Sequence, residues 1–327
     1  MSLSSSANGI PKGNFQGFKT YFKNDILSGF LVFLIALPLC LGISLASGYP
    51  AVAGIFTAIA GGLVATFLSN SELTIKGPAA GLIVIALGCV QEFGFTGGED
   101  PAKDFQAYRL ALGVGVVAGV YQIILGLFRV GILVKLFPSA AIHGLLASIG
   151  IIIISKQFPI LMGLNPQGAP LELLVNIPSF IINMNPKIAL IGILSITIVL
   201  SYGYIKNPKL KIIPAPMLML LIIVPMEGFF GIGVEGAYTF NNQVFELGRK
   251  FLVNVPDNLL AAVTLPDFSG ITTETGIKYT VLFAIIGTLE SILSAKAIDA
   301  IDPWNRKTNL DRDLLATGIA NTLSSFI

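Results

Sequence analysis

The sequence predicts an all-α polytopic membrane protein, and three observations carry the prediction. The 327 residues are 54% hydrophobic and 12% charged, where a soluble domain carries about 25% charge. Runs of about 20 apolar residues recur, each long enough to cross a hydrocarbon core of about 30 Å. One further run is too short to cross, and it opens on Lys76-Gly77-Pro78.

The elements follow in order. Residues 1–24 are polar and lack the apolar core and cleavage site of a signal peptide, so they read as a cytoplasmic tail. Spans are expected at 25–47, 51–69, 77–93, 107–129, 138–156, 187–205, 212–231 and 278–298, with another starting near 314. Breakers separate them: Gly48-Tyr49-Pro50, Gly97-Gly98, Asn165-Pro166 and Asn207-Pro208. The segment 232–277 has mixed charge and turn residues and reads as a solvated extracellular loop. The chain ends inside the apolar run GIANTLSSFI, which predicts a piece of a longer protein.

Orientation follows from the basic residues of the loops. With the N-terminus inside, Lys12, Lys19, Lys23, Arg129, Lys135, Lys206, Lys209, Lys211, Arg306, Lys307 and Arg312 are internal. Lys103, Arg109, Lys156, Lys187, Arg249, Lys250 and Lys278 fall in longer external segments. The bias predicts a multi-pass protein of the plasma membrane with a cytoplasmic N-terminus.

The short run is the chemically informative one. From Gly77 to Val90 a helix reaches only about 21 Å. The preceding SELTIK alternates and is rich in β-formers, so a short extended β segment is expected before the half-helix. Irregular backbone at that depth is tolerated only where it is buried in protein or lines a cavity. Pro78 suits a first helical turn. The free amides of Gly77, Ala79 and Ala80 would then attract an anion, helped by the positive end of the helix dipole.

Other groups stand out against the apolar background. Glu290, in IIGTLESILSAKA, is an expensive intramembrane carboxylate with Thr288, Ser291 and Ser294 nearby; such a group holds Na⁺, carries a proton or locks helices. Pro38 and Gly42 predict a broken first helix beside the short one. His143 is the one histidine and reads as an interhelical residue, while Cys40 and Cys89 read as packing residues. No nucleophile–base pair, Cys/His cluster or phosphate loop is present, which argues against an enzyme. The net charge of +2 is too small to call for nucleic acid.

The stretch IALPLCLGISLASGYPAVAGIFTAIAGGLVATFLSNSELTIKGPAAGL, with the acidic GTLES span, resembles the signature region of the SulP (sulfate permease) transporters. The resemblance runs from about residue 25 to the end. It implies an inverted-repeat fold of seven plus seven segments, with core and gate domains, alternating access by an elevator motion, and a homodimer in the full-length protein. On this reading 25–129 holds core segments 1–4, 130–231 holds gate segments 5–7, and 278–327 holds segment 8 and part of 9. Segments 10–14 and the cytoplasmic STAS domain would be absent.

The resemblance also places the site. Leu39 and Ile43 of segment 1, and Lys76, Gly77, Pro78, Ala79 and Ala80 at segment 3, would line it with Glu290 and Ser294 of segment 8. Sodium-coupled bicarbonate carriers of the family have a small hydroxyl residue where this chain has Lys76. The expectation is therefore that Lys76 pairs with Glu290 in place of a bound Na⁺; without that pairing, Na⁺ at Glu290 remains open. No other cofactor is expected. The function implied is secondary transport of a small inorganic anion, sulfate or bicarbonate, with Na⁺ or H⁺ coupling open. A nucleobase or dicarboxylate carrier of the same fold is one alternative, and a membrane protein that binds an anion without moving it is another.

Overall fold

The computed structural model describes residues 10–13, 15–131, 139–166, 168–205, 215–252 and 262–327. Most of the N-terminal tail, Lys135, Lys206, Lys209, Lys211, Asn207-Pro208, the start of the span expected at 212 and the His143 side chain lie outside the described residues.

The helices are α1 (Phe15–Ala46), α2 (Ala51–Leu68), α3 (Ala80–Glu92), α4 (Pro101–Leu127), α5 (Ser139–Leu161), α6 (Pro170–Val175), α7 (Ile177–Ile182), α8 (Pro186–Ser201), α9 (Ala215–Phe230), α10 (Glu274–Ile301) and α11 (Leu310–Ser324). Five segments among the described residues are long and apolar enough to cross a membrane: α1, α2, α4, Pro186–Tyr204 and α10. Helices lie over the expected spans, with shifted ends; those over 77–93, 138–156 and 212–231 hold only shorter apolar stretches among the described residues, Ala80–Glu92, Gly150–Leu161 and Met217–Phe230. The largest shift is at α1, which begins ten residues before the expected position 25. Its 32 residues reach about 48 Å, well beyond a bilayer core of about 30 Å. Pro38 lies inside this helix without interrupting it, so the expected break does not form. Two short helices, α6 and α7, were not foreseen; each carries Pro in its first turn, where no amide partner is lost.

Local chemistry sets several ends. Asp100 accepts from the amides of Ala102 and Lys103 at the start of α4, with Pro101 first in the helix. Asn309 caps α11 by accepting from Arg312, and Thr273 caps α10 by accepting from Gly276. α2 contains a π turn at Gly61–Ala65.

Small residues decide how closely helices approach. α4 and α11 run antiparallel, and three glycines mark their seam. A Cβ on Gly115 would lie 2.6 Å from Ser325 Oγ, one on Gly119 2.4 Å from Thr322 Oγ1, and one on Gly126 2.7 Å from Leu315 Cγ. Packing in lipid relies on such backbone approach, because burial of apolar surface brings no gain there. Gln122 and Asn321 cross the same seam through a 2.7 Å hydrogen bond. α3 also lies antiparallel to α10: Gly81 meets Glu290 near one end, and Glu92 accepts from Lys278 and Tyr279 at the other.

Two features differ from expectation. The segment 71–79 forms no strand, because no second strand lies beside it among the described residues. The sheet is instead a hairpin within 232–277, β1 (Gly236–Phe240) and β2 (Gln243–Leu247), paired antiparallel. Its turn residues Asn241 and Asn242 have φ 47° and 62°, the twist-matching geometry that asparagine tolerates. The hairpin docks on the start of α8. Tyr238 Oη donates to Asn185 Oδ1 at 2.7 Å and accepts from the Lys187 amide at 3.0 Å.

Candidate anion site

The site is built around the start of α3. The helix begins at Ala80 with a single 3-10 turn, not at Gly77, and Ala79 is its extended N-cap residue with φ −92° and ψ 114°. Proline disfavours helical geometry in the residue before it, here Gly77, so the helix cannot start there. Gly77, Pro78 and Ala79 thus form an irregular approach to the helix, bent at Gly77 and extended at Ala79, rather than its first turn.

A cavity of about 390 Å³ opens at this point. Ile43, Lys76, Gly77, Pro78, Ala79, Ala80, Glu290 and Ser294 all line it. Leu39 does not: it is 51% exposed, while the buried face of α1 carries Cys40, Ile43 and Ser44. Residues of a helix are set about 100° apart, so Leu39 turns away from the side that Cys40 presents.

The charges are arranged differently from expectation. Lys76 does not pair with Glu290. Its Nζ lies 2.7 Å from Asp313 Oδ2 and donates to Ser291 Oγ at 3.3 Å. The Asp313 side chain is 1% exposed, and its Oδ1 accepts from Ser69 at 2.6 Å. Glu290 instead caps the half-helix, its Oε1 accepting from the Gly81 amide at 3.1 Å. Oε2 of Glu290 is buried with no hydrogen-bond partner among the described residues, as is Oγ1 of Thr288. A buried carboxylate oxygen left unmatched costs free energy, and a cation or proton would relieve it.

Sequence reasoning missed Asp313, Ser69, Gln122 and Asn321. Asp313 was the detectable one, an acid in DRDLLATG at the mouth of an apolar run, where ionisable residues usually have a partner. Ser44, Ser47 and Thr57 also face the cavity; hydroxyls in apolar helices ordinarily bond their own backbone, so their spacing carries no signal.

A helical chain with several apolar segments long enough to cross a membrane, and a half-helix start opening on a cavity lined by Lys76, Glu290 and hydroxyl residues, is of the polytopic membrane class. More particularly, the profile of the sulfate permease family matches residues 22–327, and the chain belongs to that family. The bicarbonate transporter BicA of Picosynechococcus sp. is 25% identical over 312 residues, covering 94% of this chain and 51% of that protein. The putative sulfate transporter YvdB of Bacillus subtilis is 26% identical over 317 residues, covering 94% and 53%. The chain spans about half the length of these curated relatives. Among solved structures, the transmembrane domain of a cyanobacterium bicarbonate transporter BicA superposes with a TM-score of 0.72 at 20% identity, covering 97% of this chain and 74% of that one. Murine Solute Carrier 26 family member A9 in the inward-facing state gives 0.66 at 16% identity, covering 100% and 55%. The family is one of transporters, not enzymes.

Proposed function

We propose that the chain forms the substrate-binding part of a secondary active transporter for a small inorganic anion, sulfate or bicarbonate. The observation that carries this reading is the N-terminal turn of α3 opening on the cavity, with the Gly81 amide directed at a carboxylate. An oxyanion in the cavity would take the donors of Ala80 and Gly81, with Ile43 and Pro78 walling it. Glu290 already occupies one of those donors, so anion entry and the state of Glu290 are linked. Protonation, or a Na⁺ ion at the unmatched Oε2, would loosen its hold on Gly81; either provides coupling. The core domain would comprise residues 25–129 and 278–327 and slide against a gate built from 130–231, in a homodimer with its N-termini in the cytoplasm.

Uptake of radiolabelled sulfate and bicarbonate into proteoliposomes, under imposed sodium or proton gradients, tests the reading. Saturable, gradient-driven uptake of one of them is expected. Reconstituted protein that moves neither anion under any gradient would sink it.

One observation keeps a second reading in view. The amides of Gln122 and Asn321 line the cavity, and amides suit a nucleobase. Asn321 Nδ2 donates to Gln122 Oε1 at 2.7 Å, which takes one donor and one acceptor of the pair and reduces what it could offer a base. Uracil should therefore not compete with anion uptake; strong competition would favour a nucleobase carrier.

A further inference from the structure

The first turns of α1 carry a surface that the cavity does not use. Residues 15–24 add about 15 Å of helix ahead of the apolar span that begins near position 25. The headgroup layers flanking a hydrocarbon core are about 5–8 Å thick each, so these turns stand within and just beyond one of them. Phe15, Phe18 and Phe22 are exposed there. At about 100° per residue they share with Ile26 a sector of about 80°, and Gly29 and Phe33 carry the same face on into the span. The Phe18 and Phe22 rings meet edge to face at 5.1 Å. Lys19 and Lys23 run along one edge of this face and Lys12 just precedes the helix, all three exposed. Lys19 Nζ lies 4.7 Å from the centroid of the Phe15 ring, and neither Lys19 nor Lys23 forms a salt bridge among the described residues. Gln16, Thr20 and Asn24 occupy the opposite face. This end of the molecule is fastened: the Gly13 amide donates to Glu72 at 2.7 Å, and the Pro11 carbonyl accepts from Arg306 at 3.0 Å. The second contact brings the loop after α10 to the same end, and with it the exposed Trp304, the one tryptophan of the chain.

We propose that this face is a docking surface for anionic phospholipid. The rings rest at the boundary between headgroups and acyl chains, while the lysine stems lie along apolar surface and deliver their ammonium groups to the lipid phosphates. Charge complementarity selects the lipid. Between residues 10 and 25 three lysines stand against a single acid, Asp25, and a cluster of lysines beside a span is drawn to a negative membrane surface. Continuity selects lipid over a soluble partner. The same face stays exposed at Ile26 and Phe33, at a depth where acyl chains cover it, so the headgroups are its natural extension.

The test uses the full chain in phosphatidylcholine vesicles doped with a lipid brominated near the headgroup end of its acyl chain, either phosphatidylglycerol or phosphatidylcholine. Phe18→Trp in a Trp304→Phe background reports on the helix face by its fluorescence. Brominated phosphatidylglycerol should quench it at a lower mole fraction than brominated phosphatidylcholine. Each of Lys12→Gln, Lys19→Gln and Lys23→Gln should raise the half-quenching fraction of phosphatidylglycerol about fivefold, until the triple variant treats the two lipids alike. If the tryptophan variant does not fold, the native Trp304 reports the same comparison in the wild type and the lysine variants. Equal quenching by the two lipids overturns the proposal, as does a preference unchanged in the triple variant. So does quenching by neither lipid: access to aqueous acrylamide would then place the face in water, and shielding from acrylamide would place it under protein, such as a second copy. No transported anion takes part, so a failed uptake assay would discard the transport reading and leave this result standing.

Discussion

The amide of Gly81 and the carboxylate of Glu290, 209 residues apart in sequence, are joined by a 3.1 Å hydrogen bond that ties the first turn of α3 to α10. A Cβ at position 81 would lie 2.7 Å from Glu290 Oε1. The glycine is thus what lets the acid reach the helix end. The side chain that must yield to any larger residue is the flexible carboxylate itself.

Gly81→Ala should therefore displace Glu290 without disturbing the fold. A hydrogen bond to a charged group contributes about 1.5–3 kcal/mol, so Tm is expected to fall by several degrees, and the sodium or proton dependence of anion uptake to weaken. Glu290→Gln keeps an acceptor for the Gly81 amide but cannot carry a proton or hold Na⁺ strongly. It should remain stable and lose gradient dependence. Initial uptake rates across a pH and sodium series check both variants; a Glu290→Gln protein with wild-type gradient dependence would contradict the coupling role.

The crossing of α1 over α2 depends on Gly54. A Cβ there would lie 2.2 Å from the Cys40 carbonyl oxygen and 2.6 Å from Ser44 Oγ. Backbone cannot move aside as a side-chain tip does, so Gly54→Ala is expected to cost about 1–3 kcal/mol. Gly29 on the same α1 meets nothing within 4 Å, and Gly29→Ala should be neutral or slightly stabilising. Thermal unfolding of the two variants side by side decides whether close approach, rather than glycine content, matters here.

Tyr238 anchors the hairpin to α8 through its hydroxyl. Tyr238→Phe leaves Asn185 Oδ1 and the Lys187 amide without that partner, and Asn185 is 5% exposed. The expected loss is about 1–3 kcal/mol. Amide exchange of 236–247 should accelerate while α3 and α10 keep their protection.

Just beyond α10, the Arg306 guanidinium donates to Asp302 at 2.8 and 3.1 Å. Together with the amides of Arg306 and Trp304, it holds the Asp302 carboxyl down at about 2. The folded-state value lies below the unfolded one of about 3.9. This contact therefore stabilises fully above that value and fades as pH falls toward 2. Arg306 also donates to the Pro11 carbonyl oxygen at 3.0 Å, so acid should release residues 10–13 as well. Arg306→Gln should bring the Asp302 carboxyl back up and flatten the change between about pH 4 and 2. Carboxyl titration followed by NMR or infrared spectroscopy measures it.

How much of this was legible in the residues varies with the range of the interaction. The apolar runs and their Gly and Pro breakers are local signals, and they located the spans of α2, α4 and α10. The short run before Glu92 announced a half-helix, although its start moved from Gly77 to Ala80. The hairpin was missed despite YTFNNQVFEL, in which strand formers flank an Asn-Asn turn. An extended segment was expected to be a strand at 71–76, but a strand needs a neighbour, and local alternation does not supply one.

By itself the sequence determined a membrane-spanning chain, a helix too short to cross, and an acid and a lysine near it. Hydropathy, proline and glycine act on their own neighbourhood, so they can be read without a fold. Which acid meets which cation was decided only in three dimensions. Lys76 found Asp313, 237 residues away, and Glu290 found the amide of Gly81. Both carboxylates had the right charge, and only the packing of α10 and α11 against the start of α3 fixed the distances over which that charge acts.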